Sequence, residues 1–131
     1  YYTCSCLRQF PQTLETLNFG AIFDECLRDI TLPSNMQTLS FGHTFNQSLD
    51  RVSLPSNLQT LSFGGCFNQS LDEVSLPTNL QTLRFGRCFT QSMGTLPQNL
   101  QTLTLGSKLN EKLADLELPR SLQTLTFGKV T

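Results

Sequence analysis

A chain of 131 residues, 38% hydrophobic and 15% charged, can bury the core of one domain and is too apolar to stay a disordered tail. Nine Lys and Arg against ten Asp and Glu leave a net charge of -1, which gives no general electrostatic footprint for nucleic acid. No run approaches the roughly eighteen apolar residues of a membrane span, and the N-terminal Tyr-Tyr-Thr-Cys-Ser-Cys has no basic-then-apolar leader pattern.

Prolines stand at 11, 33, 55, 77, 97 and 119, and a glycine follows each by nine residues, at 20, 42, 64, 86, 106 and 128. The copies are 22 residues long except the one from 77 to 96, which has 20. A period of this length indicates a solenoid, whose units cannot cover their own apolar faces and bury them by stacking. The expectation is one repeat domain over 1–131, with residues 1–10 an incomplete coil and coils starting near 11, 33, 55, 77, 97 and 119. A chain that begins with Tyr and has no polar cap after its sixth copy also reads as part of a longer one.

The elements follow in chain order. Each coil should open at its proline, which fixes φ at a turn, and continue into a short strand. In the fullest copy, Leu54-Pro55-Ser56-Asn57-Leu58-Gln59-Thr60-Leu61-Ser62-Phe63-Gly64, Leu61 and Phe63 alternate with Thr60 and Ser62. That two-residue period predicts a strand over about Gln59 to Phe63 with one buried face. Gly64 is expected to leave the strand through a positive φ. Phe67, Leu71, Val74 and Leu76 then turn inward around the coil, each contributing roughly 1.5–3 kcal/mol by burial. The fourth copy loses two residues around Gln91-Ser92-Met93-Gly94-Thr95, which implies a tighter return loop.

The segment Leu58-x-x-Leu61-x-Phe63 looks like the strand of a leucine-rich repeat. The whole copy, Leu-Pro-x-Asn-Leu-x-x-Leu-x-Phe-Gly-x-x-Phe-Asn-Gln, resembles the FNIP repeats of protist proteins over about residues 10 to 131. The resemblance implies a mainly β fold, a right-handed parallel β-solenoid of the leucine-rich-repeat type with about six coils of 20–22 residues. It implies no particular activity, because such repeats occur as arrays in many contexts. Ser48 and Ser70 stand where that pattern often has Pro, and the usual Asn/Cys position falls on Cys66 with Asn68 two residues later, which would displace the customary buried asparagine ladder.

Asn46, Asn68 and Asn110 share one register, with Asp24 and Thr90 replacing Asn in other copies. They are expected to form a structural ladder that satisfies backbone groups in the turn. Asn46-Gln47-Ser48 and Asn68-Gln69-Ser70 are also glycosylation acceptor tripeptides, and a buried ladder residue could not carry a sugar. The outward strand row of Thr16, Thr38, Thr60, Thr82, Thr102 and Thr124 is ordinary sheet chemistry; the ice-binding alternative suffers from Asn18 and Arg84 in the companion row.

Five cysteines are present, and the pairs Cys66/Cys88 and Cys4/Cys26 are each 22 residues apart. Each pair should stand in one register on adjacent coils, within disulfide reach although with parallel side-chain vectors. Free buried thiols are the competing reading. No cofactor or metal site is expected, since one histidine, His43, cannot make a two-histidine site and no phosphate loop or nucleophile elbow occurs. Asp50 and Asp72 stack as neighbours, but Arg28 in their register and the alternating Asp29, Arg51 and Glu73 read as a solvated charge ladder.

These readings point to a non-catalytic interaction or structural scaffold with a protein partner, no nucleic acid and no membrane span, and with a place in a larger assembly. Ice or glycan binding, or the repeat region of a larger enzyme, are the alternatives. The partner face is expected at the short fourth copy, where Arg84 and Arg87 flank one turn with Thr82 and Thr102 beside them. Residues 1–75 carry -4 and residues 76–131 carry +3, so this face lies in the positive half.

Overall fold

In a computed structural model, which describes residues 10–27, 30–109 and 117–128, the chain winds into stacked coils that each contribute one short parallel strand. The strands are β1 (Thr16–Asn18), β2 (Thr38–Ser40), β3 (Thr60–Ser62), β4 (Thr82–Arg84), β5 (Thr102–Leu105) and β6 (Thr124–Phe127). They form one sheet in sequence order. Threonine pairs with threonine and leucine with leucine at every step, from Thr16↔Thr38 and Leu17↔Leu39 to Thr102↔Thr124 and Leu103↔Leu125. The solenoid of parallel strands expected from the period is thus the observed architecture.

The strands are shorter than the alternation suggests, yet pairing continues past their ends. Gln59 N donates to Gln37 O at 2.8 Å, and Phe63 N to Arg84 O at 2.9 Å. The flanking residues therefore bond from coil to coil although only the central three keep strand geometry. Each coil opens on a turn whose proline carbonyl accepts three residues on, as in Leu58 N to Pro55 O at 3.2 Å and Leu80 N to Pro77 O at 3.2 Å. The turn needs the carbonyl of that residue and not its N–H, so proline is suited to it.

Inside, identical side chains stack in columns. Leu39, Leu61, Leu83 and Leu103 are wholly buried, as are Phe45, Phe67 and Phe89. Two phenylalanine columns run side by side. Phe19, Phe41, Phe63 and Phe85 follow one another at 5.2–5.5 Å between ring centroids. Phe23, Phe45, Phe67 and Phe89 follow at 6.0 Å. Across the columns, Phe63 stacks on Phe67 and Phe85 on Phe89 at 4.0 Å. Leu105 and Leu109 replace the rings in the fifth coil and remain buried.

The register glycines do a different job from the one expected. Among the described glycines only Gly94 has a positive φ, at 67°. At Gly64 an added Cβ would lie 2.2 Å from the carbonyl oxygen of Gly42, and at Gly106 it would lie 2.1 Å from that of Gly86. Coils approach backbone to backbone there, and any side chain would push them apart. Gly94 takes the left-handed conformation in the shortened loop of the fourth coil. That loop absorbs the two-residue deletion, for Thr82 still pairs with Thr102 and Arg84 with Thr104.

Candidate interaction face

The strands turn two rows of polar side chains outward. One is threonine throughout, half-buried at Thr38, Thr60, Thr82 and Thr102 because neighbours in the row shield each other. The other runs Asn18, Ser40, Ser62, Arg84, Thr104 and Thr126. Arg84 is the charged member of that row, exposed at the end of β4 between Ser62 and Thr104. Arg87 is exposed just beyond Gly86, on the turn that leaves the same strand. The fold thus carries Arg84, Thr82 and Thr102 on adjoining strands, with Arg87 where the face bends away. Guanidinium groups offer planar forks suited to carboxylates, and threonine hydroxyls add neutral donors and acceptors.

Beside this face runs an open polar groove of about 550 Å3, lined by Asn35, Asn57 and Asn79 with Gln37, Gln59 and Gln81, and by Thr13 and Glu15 towards the first coil. The asparagines form a ladder that was not singled out from the sequence. Asn57 Nδ2 donates to Ser34 O at 3.2 Å, Asn79 Nδ2 to Ser56 O at 3.3 Å, and Asn99 Nδ2 to Thr78 O at 3.0 Å. Its signal was the invariant Asn two residues after proline in these copies, visible as spacing and silent about which coil would supply the acceptor.

The second polar column lies at the next corner. Asp24 Oδ1 accepts from Asn46 N, Asn46 Oδ1 from Asn68 N, and Asn68 Oδ1 from Thr90 N, each at 2.8 Å. Gln69 Nε2 adds bonds to Asn46 O at 3.2 Å and Asn46 Oδ1 at 3.1 Å. These side chains are not buried, contrary to the premise that a ladder residue would be closed to a glycan: Asn46 is exposed and Asn68 half-buried. The column sits at a surface corner, and its bonds use Oδ1, while a glycan would attach to Nδ2. Asn110 lies outside the described residues.

Cys66 and Cys88 stand half-buried on adjacent coils as unbridged thiols. Their backbones hold equivalent places on successive coils, Cys66 N bonding to His43 O and Cys88 N to Gly65 O, and like placement of two side chains does not favour the bond. Cys26 is half-buried, and Cys4 lies outside the described residues. Asp50 and Asp72 are exposed; Asp72 accepts a short hydrogen bond from Ser92 Oγ, and its backbone N–H donates to Ser70 Oγ at 3.2 Å. Arg28 and Asp29 are outside the described residues. Among the described residues no group of three His, Cys, Asp or Glu is placed to hold a metal ion, and no helix is long and apolar enough to cross a membrane. A cavity of about 830 Å3 lies at the short coil, lined by Ser92, Met93, Gly94, Leu96, Leu109 and Leu118 among others.

Comparison with known proteins returns the same organisation. The family model of the FNIP Repeat matches three times, over residues 7–44, 45–88 and 89–130. No curated protein matches the chain. Among solved structures, the crystal structure of CroV588, described as a novel circular LRR protein, is similar over 97% of this chain, with 34% identity and a TM-score of 0.73. This chain spans 22% of the length of that one.

Proposed function

Because the chain belongs to the FNIP repeat family, we propose that it serves as a non-catalytic scaffold, one stretch of a larger stack that holds a protein partner on its strand face. Repeat solenoids with this fold are typical interaction modules, since stacked units build an extended surface without a deep cleft. The observation that carries the reading is the face itself: two regular polar rows, uncharged along the described strands except for Arg84. The solved circular relative is several times longer than this chain.

Arg84 and Arg87, with Thr82 and Thr102 beside them, are the residues we assign to the contact, and the partner they fit is an acidic protein surface. Cations exposed on a neutral face gain little from their own chain, while opposite charge across an interface speeds association and fixes register. The variant carrying both Arg84→Glu and Arg87→Glu should lose partner co-purification, with affinity falling about a hundredfold. Its circular dichroism should match that of the parent, because neither side chain is packed in the core. Unchanged recovery of the partner would remove this face from the reading.

A further inference from the structure

The corner that follows the strand places chemistry that the scaffold does not use. His43 and Gly65 occupy one column on adjacent coils, and Thr44, Cys66 and Cys88 occupy the next. The backbone fixes this: Cys66 N donates to His43 O at 2.9 Å, and Cys88 N to Gly65 O at 3.1 Å. Across the same step His43 Nε2 stands 3.6 Å from Cys66 Sγ. The imidazole reaches that position by lying over Gly65, where an added Cβ would be 2.8 Å from both Cε1 and Nδ1 of the ring. Gly65 lies outside the register of the other glycines, and room for this ring is what its missing side chain provides.

The columns around this sulfur carry cations and no carboxylate. Arg87 is next in the histidine column after Gly65, and Lys108 follows Cys88 in the fifth coil, exposed on a short turn. Neither column contains a carboxylate from Ala21 and Ile22 to Ser107 and Lys108, and the flanking columns are the glycines and the buried phenylalanines. Cys66 is half-buried, open enough for a small reagent. Reactive cysteines stand in electropositive, partly exposed places of this kind, with a histidine or another cation beside them.

The geometry points to Cys66 as a redox-modifiable nucleophile, with His43 as the acceptor of its proton and Cys88 as the thiol that resolves its oxidised form. The co-reactant is hydrogen peroxide. The Cys66 proton passes to His43 Nε2, and the thiolate attacks one peroxide oxygen. The S–O bond forms as the O–O bond breaks, and the departing hydroxide takes the proton back from His43 as water. Cys88 sulfur then attacks Cys66 sulfur: the S–S bond forms, the S–O bond breaks, and hydroxide leaves with the Cys88 proton as a second water. Two thiols lose two electrons, peroxide gains them, and the third coil becomes covalently tied to the fourth beside Arg87. Such a bond between like-placed side chains would be readily reduced, as labile disulfides are.

The test is alkylation of the reduced chain by limiting iodoacetamide at neutral pH, followed by peptide mapping. Cys66 should react about tenfold faster than Cys88 or Cys26. His43→Ala and His43→Gln should both abolish that advantage; Gln can hydrogen-bond but cannot hold the proton. With hydrogen peroxide, mapping without reductant should find Cys66 joined to Cys88. The Cys88→Ser variant should instead stop at a sulfenic acid on Cys66 that dimedone traps. Equal alkylation of the three thiols, a full rate in His43→Gln, or a dimedone adduct on a different cysteine would each overturn the proposal.

Discussion

At the scale of single residues, glycine shows how a position can be legible while its reason is not. The register of Gly20, Gly42, Gly64, Gly86 and Gly106 is plain in the sequence, and a free choice of φ is the usual reason for a glycine after a strand. Nothing in one copy announces that the backbone of the preceding coil will lie within 2.2 Å of the missing Cβ at Gly64. The same blindness concealed the ring of His43 over Gly65 and the acceptors of Asn57 and Asn79, because each depends on an atom one whole coil away. The crowding gives a matched pair of substitutions. Gly64→Ala must move two backbones apart and should cost about 2–4 kcal/mol. Gly20 has no described residue within 4 Å of its built Cβ, so Gly20→Ala should leave stability within about 0.5 kcal/mol of the parent. Urea titration of both variants checks this, and equal midpoints would refute the steric role.

At the scale of the element, what the sequence made readable was the column. Any residue recurring at the period stacks on its own copies, so the leucine of each strand and the phenylalanine at each corner could be assigned to the core before the coil was seen. Strand bounds were harder to read: Gln59 and Phe63 bond across the coils as strand residues do, yet the bend at each corner takes them out of strand geometry. The candidate face was legible to the same extent. Arg84 could be placed on the strand because its neighbours alternate, but the cysteine chemistry could not, since Cys66 and His43 are 23 positions apart and meet only through the stack. Column position also sets energetic weight. Phe67 is wholly buried, with Phe45 and Phe89 in its own column and Phe63 in the other, so Phe67→Ala should cost about 3–5 kcal/mol. Phe19 is half-buried, with one described ring in its own column, Phe41, and Phe23 in the other. Its alanine variant should cost less than half as much by thermal melting, and a larger loss at Phe19 than at Phe67 would contradict the column account.

At the scale of the molecule, stability in a stack is a sum of intrinsic coil terms and nearest-neighbour interfaces. The intrinsic term of one short coil is small: a three-residue strand and a few turns cannot offset the entropy of ordering about twenty residues. The interfaces carry the fold, and a coil with one neighbour holds half as many as a coil with two. Among the described strands β1 and β6 pair on one side only, and the core columns open there. Phe127 is 41% exposed, while Phe85 and Phe63 in its register are 4% exposed. Leu125 is half-buried, while Leu103 is wholly buried. A further coil placed after β6 would cover both and present a new strand to its free edge. Thr131 stands at the place of Phe67 in the repeat, so appending a copy of residues 68–89 after it continues the period by one coil, and should therefore raise the melting temperature by several degrees and increase the denaturant slope, since more surface is then buried cooperatively. The same addition with the copies of Leu83, Phe85 and Phe89 changed to serine should give neither effect. A melting temperature that ignores the intact coil would mean that the columns do not continue past β6, and that the coils are not additive in the way their pairing implies.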